Sequence, residues 1–165
     1  MSAYSFDLLV IGSGPAGQRA AIQAAKLNKR VAIIERRGVI GGVCVNTGTI
    51  PSKTLREAVL HLSGYKLRGL YGASYTVKQD ITMEDLLFRT DHVIRHEIDV
   101  TRHQLMRNHV DVFNGNAAFI DAHSVRLDEP DRHSATELSA DRLVIATGTE
   151  VTRDQSIPFD GQRIV

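Results

Sequence analysis

The sequence has 165 residues, of which 42% are hydrophobic and 24% are charged, as is typical of a globular domain. Its 20 Lys and Arg residues and 19 Asp and Glu residues give a net charge of +1, so we expect no nucleic-acid or membrane partner. No apolar run approaches the roughly 20 residues of a transmembrane helix, and we expect no signal peptide. The single cysteine, Cys44, excludes a disulfide within this chain and favours a cytoplasmic location.

The first 35 residues predict a β-strand, a helix and a second β-strand. Residues 6–11 form a short apolar run that ends at a glycine, as buried parallel strands do. Pro15 is suited to the first turn of a helix, which an alanine-rich sequence continues to about Asn28. Residues 31–34 form a second apolar run that ends at Glu35. The two strands are therefore expected to be parallel neighbours with a right-handed crossover.

Two further helices are predicted after a glycine-rich loop. A proline opens the first, over residues 52–62, and residues 63–80 are expected to be irregular. Thr82 and Asp85 resemble a capping box, and a long helix is predicted from there to about Asn108. Its apolar residues are spaced 4, 7, 4 and 7 apart, which predicts one buried stripe consisting of Met83, Leu87, Ile94, Ile98 and Leu105.

The remaining sequence predicts short strands. Residues 110–113 form one, and residues 143–146 form another that is expected to be buried. Three alternating segments between them predict a small antiparallel meander, with a turn at Pro130 and Asp131: residues 117–120, 124–128 and 135–138. The predicted fold class is α/β, with a mainly parallel sheet and a small antiparallel β-meander.

A glycine fingerprint lies between the first strand and the first helix, and it predicts a dinucleotide site. It consists of Gly12, Ser13, Gly14, Pro15, Ala16 and Gly17. In such fingerprints the glycines allow a tight turn, a close approach of the pyrophosphate and close helix packing, and the helix N-terminus holds the phosphates. Glu35, at the end of the second strand, is expected to accept hydrogen bonds from both ribose hydroxyls of an adenosine and to repel a 2′-phosphate.

The segment after Glu35 resembles the flavin-facing segment of the flavoprotein disulfide reductases, whose pattern is GGxCxNxGCxPSK. The chain keeps most of that pattern, with Gly41, Gly42, Cys44, Asn46, Gly48, Pro51, Ser52 and Lys53. It departs from the pattern at Thr49, which stands where the family has its second cysteine. A threonine hydroxyl cannot take part in thiol–disulfide exchange. One branch of the family has this arrangement, and the resemblance to it implies bound FAD and hydride transfer between NADPH and NAD+.

Two alternatives stay open from the sequence. The first alternative to hydride transfer between nucleotides is a flavin oxidoreductase with another acceptor, such as a quinone, a metal or a dye. The second is a non-catalytic nucleotide-binding fragment. The histidines His92 and His96 are four residues apart on the long helix, which raises the hypothesis of a metal site. His96 begins a pattern like the zinc-binding HExxH motif, but Val100 stands where that motif needs its second histidine. We therefore predict no metal site, and we assign no catalytic residue to this chain.

The resemblance also implies roles for individual residues. Lys53 would lie near the flavin ring and stabilise negative charge there. Cys44 would pack or contact the flavin, and Arg36 and Arg37 would bind the adenosine half or remain solvated. Two later motifs also resemble the family: residues 114–119 resemble its adenine-facing strand, and residues 146–149 resemble its adenosine-facing turn. The predicted cofactor-binding set also includes Gly41, Gly42, Val43, Thr49, Ala117, Ala146, Thr147 and Gly148.

The resemblance further implies a domain organisation. Residues 1–150 are predicted to be FAD-binding, and residues 151–165 are predicted to begin the connection to an NAD(P)-binding domain. Family members are longer and carry a second glycine fingerprint and a dimerisation domain, so we expect the sequence to be the N-terminal fragment of a homodimeric or larger enzyme.

Overall fold

The computed structural model describes residues 4–130, 135–150 and 152–163. Six strands form one sheet: β1 (Phe6–Ile11), β2 (Val31–Glu35), β3 (Val110–Asn114), β4 (Asn116–Phe119), β5 (Ser124–Asp128) and β6 (Thr136–Ile145). The helices are α1 (Pro15–Lys26), α2 (Gly42–Asn46), α3 (Thr49–Leu62), α4 (Arg68–Tyr71) and α5 (Met83–Arg107), and a 3-10 turn, Tyr65–Leu67, precedes α4.

The strands lie in the order β3-β2-β1-β6-β5-β4. The pairs β3–β2, β2–β1 and β1–β6 are parallel, whereas β6–β5 and β5–β4 are antiparallel. The predicted α/β fold, with a parallel core and an antiparallel meander, is therefore confirmed. The carboxyl ends of β1 and β2 lie side by side, where an α/β sheet ordinarily binds its ligand.

Strand β6 joins the parallel and antiparallel parts of the sheet. Leu138 pairs with Val125 of β5 in the antiparallel part, and Val144 pairs with Val10 of β1 in the parallel part. The prediction of separate strands over 135–138 and 143–146 was therefore wrong, because one ten-residue strand changes partner along its length. The expected burial of its second half is only partly correct, because Leu143 and Val144 are half-buried against the two cores whereas Ile145 is 67% exposed. Of the predicted turn at residues 130–131, residue 131 lies outside the described residues.

Successive residues of the central strands point to opposite faces of the sheet and enter two apolar cores. Leu9 and Ile34 contribute to a core shared with the meander, and the members of that core are Leu9, Ala32, Ile34, Val125, Leu127, Leu138 and Ala140. Val10 and Ile33 contribute to the core on the other face, beneath α1 and α5, whose members are Val10, Ala21, Val31, Ile33, Ile40, Leu105 and Val110. Both faces of β1 and β2 are therefore covered, which explains the apolar runs at residues 8–11 and 31–34.

Helix α1 begins at Pro15 as predicted and ends two residues before the predicted end at Asn28. Asn28 adopts a left-handed conformation with φ of 59°. Its N–H donates to the Ala25 carbonyl at 2.9 Å, and the Lys29 N–H donates to the Ala24 carbonyl at 3.2 Å. This Schellman arrangement satisfies the last carbonyls of α1 and turns the chain into β2.

Helix α5 begins with the predicted capping box. The Thr82 hydroxyl accepts from the Asp85 N–H at 3.3 Å, and the Asp85 carboxylate accepts from the Thr82 N–H at 2.9 Å. The predicted buried stripe is only partly correct, because Leu105 is buried whereas Met83 and Leu87 are exposed. The inner face instead includes the buried residues Thr90 and Thr101, whose hydroxyls reduced the apolar signal on which the prediction depended.

Candidate functional site

A cavity of about 600 Å³ opens at the carboxyl ends of β1, β2 and β6. Most of the predicted cofactor-binding residues line it: Gly12, Ser13, Gly14, Pro15, Ala16, Glu35, Arg36, Arg37, Gly42, Val43, Cys44, Ala117, Ala146, Thr147 and Gly148. It is also lined by six residues outside the predicted cofactor-binding set, namely Ile11, Ile34, Gly115, Asn116, Thr149 and Glu150. Gly115, Asn116 and Thr149 belong to the two later motifs of the sequence analysis, and the other three lie directly beside predicted residues, which is the signal that could have identified them.

The glycines of the fingerprint, residues 12–17, have three different environments. Gly12 has φ of +106°, and a Cβ there would collide with the Ala146 carbonyl oxygen. A Cβ on Gly17 would collide with the Gly12 carbonyl oxygen, so Gly17 allows α1 to pack closely on the turn. A Cβ on Gly14 would meet nothing within 4 Å, because this position faces the open cavity. The geometry therefore supports the predicted division between packing glycines and one that leaves room for a ligand.

The N-terminus of α1 faces the same cavity through Gly14, Pro15 and Ala16. Within the described chain, no side chain caps this helix and its first turn carries no acidic residue. The first N–H groups of a helix lack partners within the helix and carry partial positive charge. This end of the cavity is therefore suited to a phosphate group.

Glu35 is 8% exposed and is held by backbone and side-chain donors. Its Oε2 atom accepts from the N–H of Ser13 at 3.1 Å and from the Ser13 hydroxyl at 2.5 Å. Its Oε1 atom accepts from the N–H of Arg37 at 2.9 Å. The carboxylate is thus fixed at the wall of the cavity.

The loop between β2 and α3 contains the short helix α2, which the sequence reasoning treated as a glycine-rich loop. Gly41 and Gly42 have φ values of 109° and 62°, which glycine adopts without strain. The Asn46 side chain donates to the carbonyls of Ile40 at 3.2 Å and Gly42 at 2.9 Å. These bonds bring Val43 and Cys44 to the wall of the cavity.

Of the three predicted flavin-facing residues, only Cys44 lines the cavity, and Thr49 and Lys53 do not. Cys44 is a half-buried free cysteine that lines the cavity, whereas Thr49 and Lys53 are exposed on the first turns of α3 and lie outside its lining. Two other predicted residues, Gly17 and Gly41, also lie outside the lining, where they pack behind it. Lys53 lies one turn before Glu57, whose pKa is lowered chiefly by its hydrogen bond to Lys66 and to a smaller extent by the charge of Lys53.

The far wall of the cavity is formed by β4 and by the residues after β6. The Ala146 N–H donates to the Ile11 carbonyl at 2.8 Å, which holds Thr147 and Gly148 beside the glycine turn. Ala117 on β4 and the neighbouring Asn116 complete this side.

Two observations concern other kinds of site. In the part of the chain that the structure describes, no three His, Cys, Asp or Glu side chains are arranged to hold a metal ion. His92 and His96 are exposed on α5, far along the chain from the cavity lining. None of the helices in the described ranges is both long and apolar enough to cross a membrane.

Comparison with known proteins gives consistent relatives. Residues 6–163 match the family described as pyridine nucleotide-disulphide oxidoreductase. The chain is 56% identical over 160 residues to the soluble pyridine nucleotide transhydrogenases of Mycobacterium bovis (strain BCG / Pasteur 1173P2) and Mycobacterium tuberculosis (strain ATCC 25177 / H37Ra). It is 40% identical over 161 residues to the protein of that name from Colwellia psychrerythraea. These matches cover 97–98% of the chain but 34% of each relative, so the chain spans about a third of their length.

A solved structure with the same fold is that of the HOCl-induced flavoprotein disulfide reductase RclA from Escherichia coli, as a Cu(II) complex. The TM-score is 0.74 and the sequence identity is 28%, over 94% of this chain and 31% of the other.

Proposed function

The chain belongs to the pyridine nucleotide-disulphide oxidoreductase family, and we propose that it is the FAD-binding part of an enzyme that transfers hydride between NADPH and NAD+. The activity is part of the proposal because the chain spans only 34% of the length of the transhydrogenases to which it is 56% identical. The proposal also covers the domain assignment, with residues 1–150 binding FAD and residues 151–165 beginning the connection to an NAD(P)-binding domain.

One observation carries the nucleotide part of the proposal: a single cavity joins an uncapped helix N-terminus, an open glycine position and a fixed carboxylate. Gly14 leaves room for a diphosphate beside the first N–H groups of α1. Glu35 offers an acceptor to a ribose. A volume of about 600 Å³ is within the usual range for a cofactor site. The donors and acceptors present therefore fit the adenosine diphosphate half of FAD.

The other half of the cofactor would meet the segment that follows. Val43 and Cys44 lie on α2, against the glycine turn, where they would pack beside the flavin. Arg36 and Arg37 are exposed at the cavity mouth beside Glu35, where they would contact the adenosine half. Lys53 would approach the ring only if the ring extends beyond the cavity toward α3. FAD, when bound, supplies the hydride-accepting centre that the amino-acid side chains lack.

Thr49 favours hydride transfer to a nicotinamide nucleotide over reduction of a disulfide substrate. The described chain has one cysteine, Cys44, and the family's second cysteine position carries a hydroxyl. Because a hydroxyl cannot exchange with a thiol, this chain offers no dithiol to carry electrons to a disulfide substrate. NADPH and NAD+ are therefore the proposed substrates. The same proposal includes a homodimeric or larger assembly and a cytoplasmic location.

The proposal is tested with the full chain and with a protein in which the chain is joined to its following domains. The purified chain is mixed with FAD, and the bound fraction is measured by the quenching of flavin fluorescence, with FMN as a control that lacks the adenosine half. We expect FAD to bind at least about tenfold more tightly than FMN, since the proposed phosphate and ribose contacts are all to the adenosine half, which FMN lacks.

The activity is tested in the longer protein by following the reduction of thio-NAD+ by NADPH, with lipoamide and a quinone as competing acceptors. We expect thio-NAD+ to be reduced and lipoamide to remain oxidised. Reduction of lipoamide would contradict the interpretation of Thr49. Exclusive reduction of the quinone would favour a flavin oxidoreductase with another acceptor, and binding of ADP without any flavin would favour a non-catalytic nucleotide-binding module.

A further inference from the structure

Ser13 is one of the residues at the wall of the cavity, and its buried side chain connects three separate segments. It is the second residue of the glycine turn and is completely buried. Its neighbours are the end of β2, through Glu35, and the loop before α2, through Gly41. A buried hydroxyl is retained at low cost only when its hydrogen-bonding groups have partners, and those of Ser13 do.

The hydrogen bonds of Ser13 have defined directions. A carboxylate only accepts, so the Ser13 hydroxyl donates its one hydrogen to Oε2 of Glu35, at 2.5 Å. The same hydroxyl oxygen accepts from the Gly41 N–H at 3.1 Å. The Ser13 N–H donates to the same Oε2 at 3.1 Å. One serine therefore fixes one oxygen of the carboxylate and ties it to the loop that leads into α2.

These bonds leave Glu35 with little free accepting capacity. An ionised carboxylate has about four acceptor positions, two on each oxygen. Both positions on Oε2 are taken by Ser13, and one on Oε1 is taken by the Arg37 N–H at 2.9 Å. One position remains, on Oε1. The two hydroxyls of a ribose would therefore compete for this one position while the network is intact.

We propose that Ser13 is a positioning residue that fixes Glu35 so that the carboxylate accepts a single ribose hydroxyl through Oε1. The proposal rests on the proposed adenosine-binding function and narrows it, because the sequence alone predicted that both hydroxyls would be bound. Ser13 has no contact with the nucleotide in this role and acts only through Glu35.

The test compares ADP, 2′-deoxy-ADP and 3′-deoxy-ADP by isothermal titration of the full chain. On the unchanged chain, we expect one deoxy nucleotide to bind about tenfold or more weakly than ADP, since a hydrogen bond to a charged group is lost. The other is expected to bind within about twofold of ADP. In Ser13→Ala, ADP is expected to bind about tenfold more weakly, and the two deoxy nucleotides are expected to differ by less than about threefold, because the carboxylate is no longer fixed.

Ser124→Ala is the matched control, because Ser124 is also a buried serine but lies on β5, outside the cavity lining. It is expected to leave the ratio between the deoxy nucleotides unchanged. A ratio of affinities is not altered by a general loss of stability, provided that the chain is folded during the titration. The comparison on the unchanged chain also remains decisive if Ser13→Ala fails to fold.

Two outcomes would overturn the role of Ser13 alone: equal weakening by both deoxy nucleotides on the unchanged chain, or equal weakening of all three nucleotides by Ser13→Ala. In either case the chain would still bind ADP and FAD, so the proposed function would stand. A chain that binds neither ADP nor FAD would overturn the proposed function, and the role of Ser13 with it.

Discussion

Gly42, the first residue of α2, lies directly against Gly14 in the glycine turn: a Cβ on Gly42 would stand 2.8 Å from the Cα of Gly14. The two glycines come from segments that are separated by β2, yet their backbones are in contact. The position of α2, and with it the position of Cys44, therefore depends on the turn that is proposed to hold the diphosphate.

The contact predicts that Gly42→Ala weakens FAD binding. The added methyl group would collide with the glycine turn, and alanine at φ of +62° is strained by about 1 kcal/mol. We expect at least about fivefold weaker FAD binding by fluorescence quenching. Gly69→Ala is the matched control, because a Cβ at Gly69, within helix α4, would meet nothing within 4 Å. Equal FAD affinity in both variants would show that α2 does not depend on this contact.

The side chain of Asn46 predicts a second effect on the same segment. Its amide donates to the carbonyls of Ile40 and Gly42, so Asn46→Asp removes both donors and places a carboxylate against two carbonyl oxygens. We expect the free energy of unfolding to fall by about 1–3 kcal/mol, as measured by urea denaturation. Gln79→Glu, which makes the same amide-to-carboxylate change at an exposed position, serves as the control and is expected to change it by less than about 0.5 kcal/mol. A similar loss in both variants would contradict this role of Asn46.

Asp85 predicts a dependence of stability on pH. Its hydrogen bond to the Lys78 ammonium, followed by those from the Thr82 N–H and hydroxyl, lowers the pKa of Asp85 from 3.8 to about 2. Because the folded-state pKa is the lower one, this stabilisation is fully present above about pH 4 and is lost as the pH falls toward 2. Urea midpoints measured between pH 2 and pH 6 are expected to fall less steeply below pH 4 in Asp85→Asn than in the unchanged chain. Asp91→Asn, at an exposed position on the same helix, is expected to follow the unchanged chain. Identical slopes in all three proteins would contradict the prediction.

The parts of the fold that the sequence predicted are those that local patterns determine. The apolar runs of β1 and β2, Pro15 at the start of α1 and the capping box of α5 each depend on neighbouring residues, and the structure has all of them. Most of the residues predicted to bind the cofactor line one cavity for a similar reason, because the glycine turn and Glu35 lie at the ends of predicted parallel strands.

The parts that the sequence missed depend on distant contacts. Helix α2 forms where the Asn46 side chain bonds to two carbonyls and the backbone passes Gly14, neither of which a periodic pattern reports. Helix α3 begins at Thr49, earlier than its proline suggested. The two pairing modes of β6 divided its sequence pattern, so one strand was predicted as two. The Ser13 hydroxyl is buried because its acceptor, Glu35, comes from a distant segment that only the folded chain brings near.

His109 predicts a stabilising substitution at the end of α5. It follows the C-cap residue Asn108 and adopts φ of 54°, a left-handed conformation that costs a residue with a Cβ about 1 kcal/mol relative to glycine. His109→Gly is therefore expected to raise the free energy of unfolding by about 0.5–1 kcal/mol in urea denaturation. His103→Gly, at an exposed position inside the same helix, is expected to lower it by about 1 kcal/mol, because glycine there loses helix propensity without relieving any strain. The two histidine substitutions thus have opposite expected signs on one helix. Destabilisation by both would mean that the His109 side chain contributes more at the α5 terminus than its backbone conformation costs.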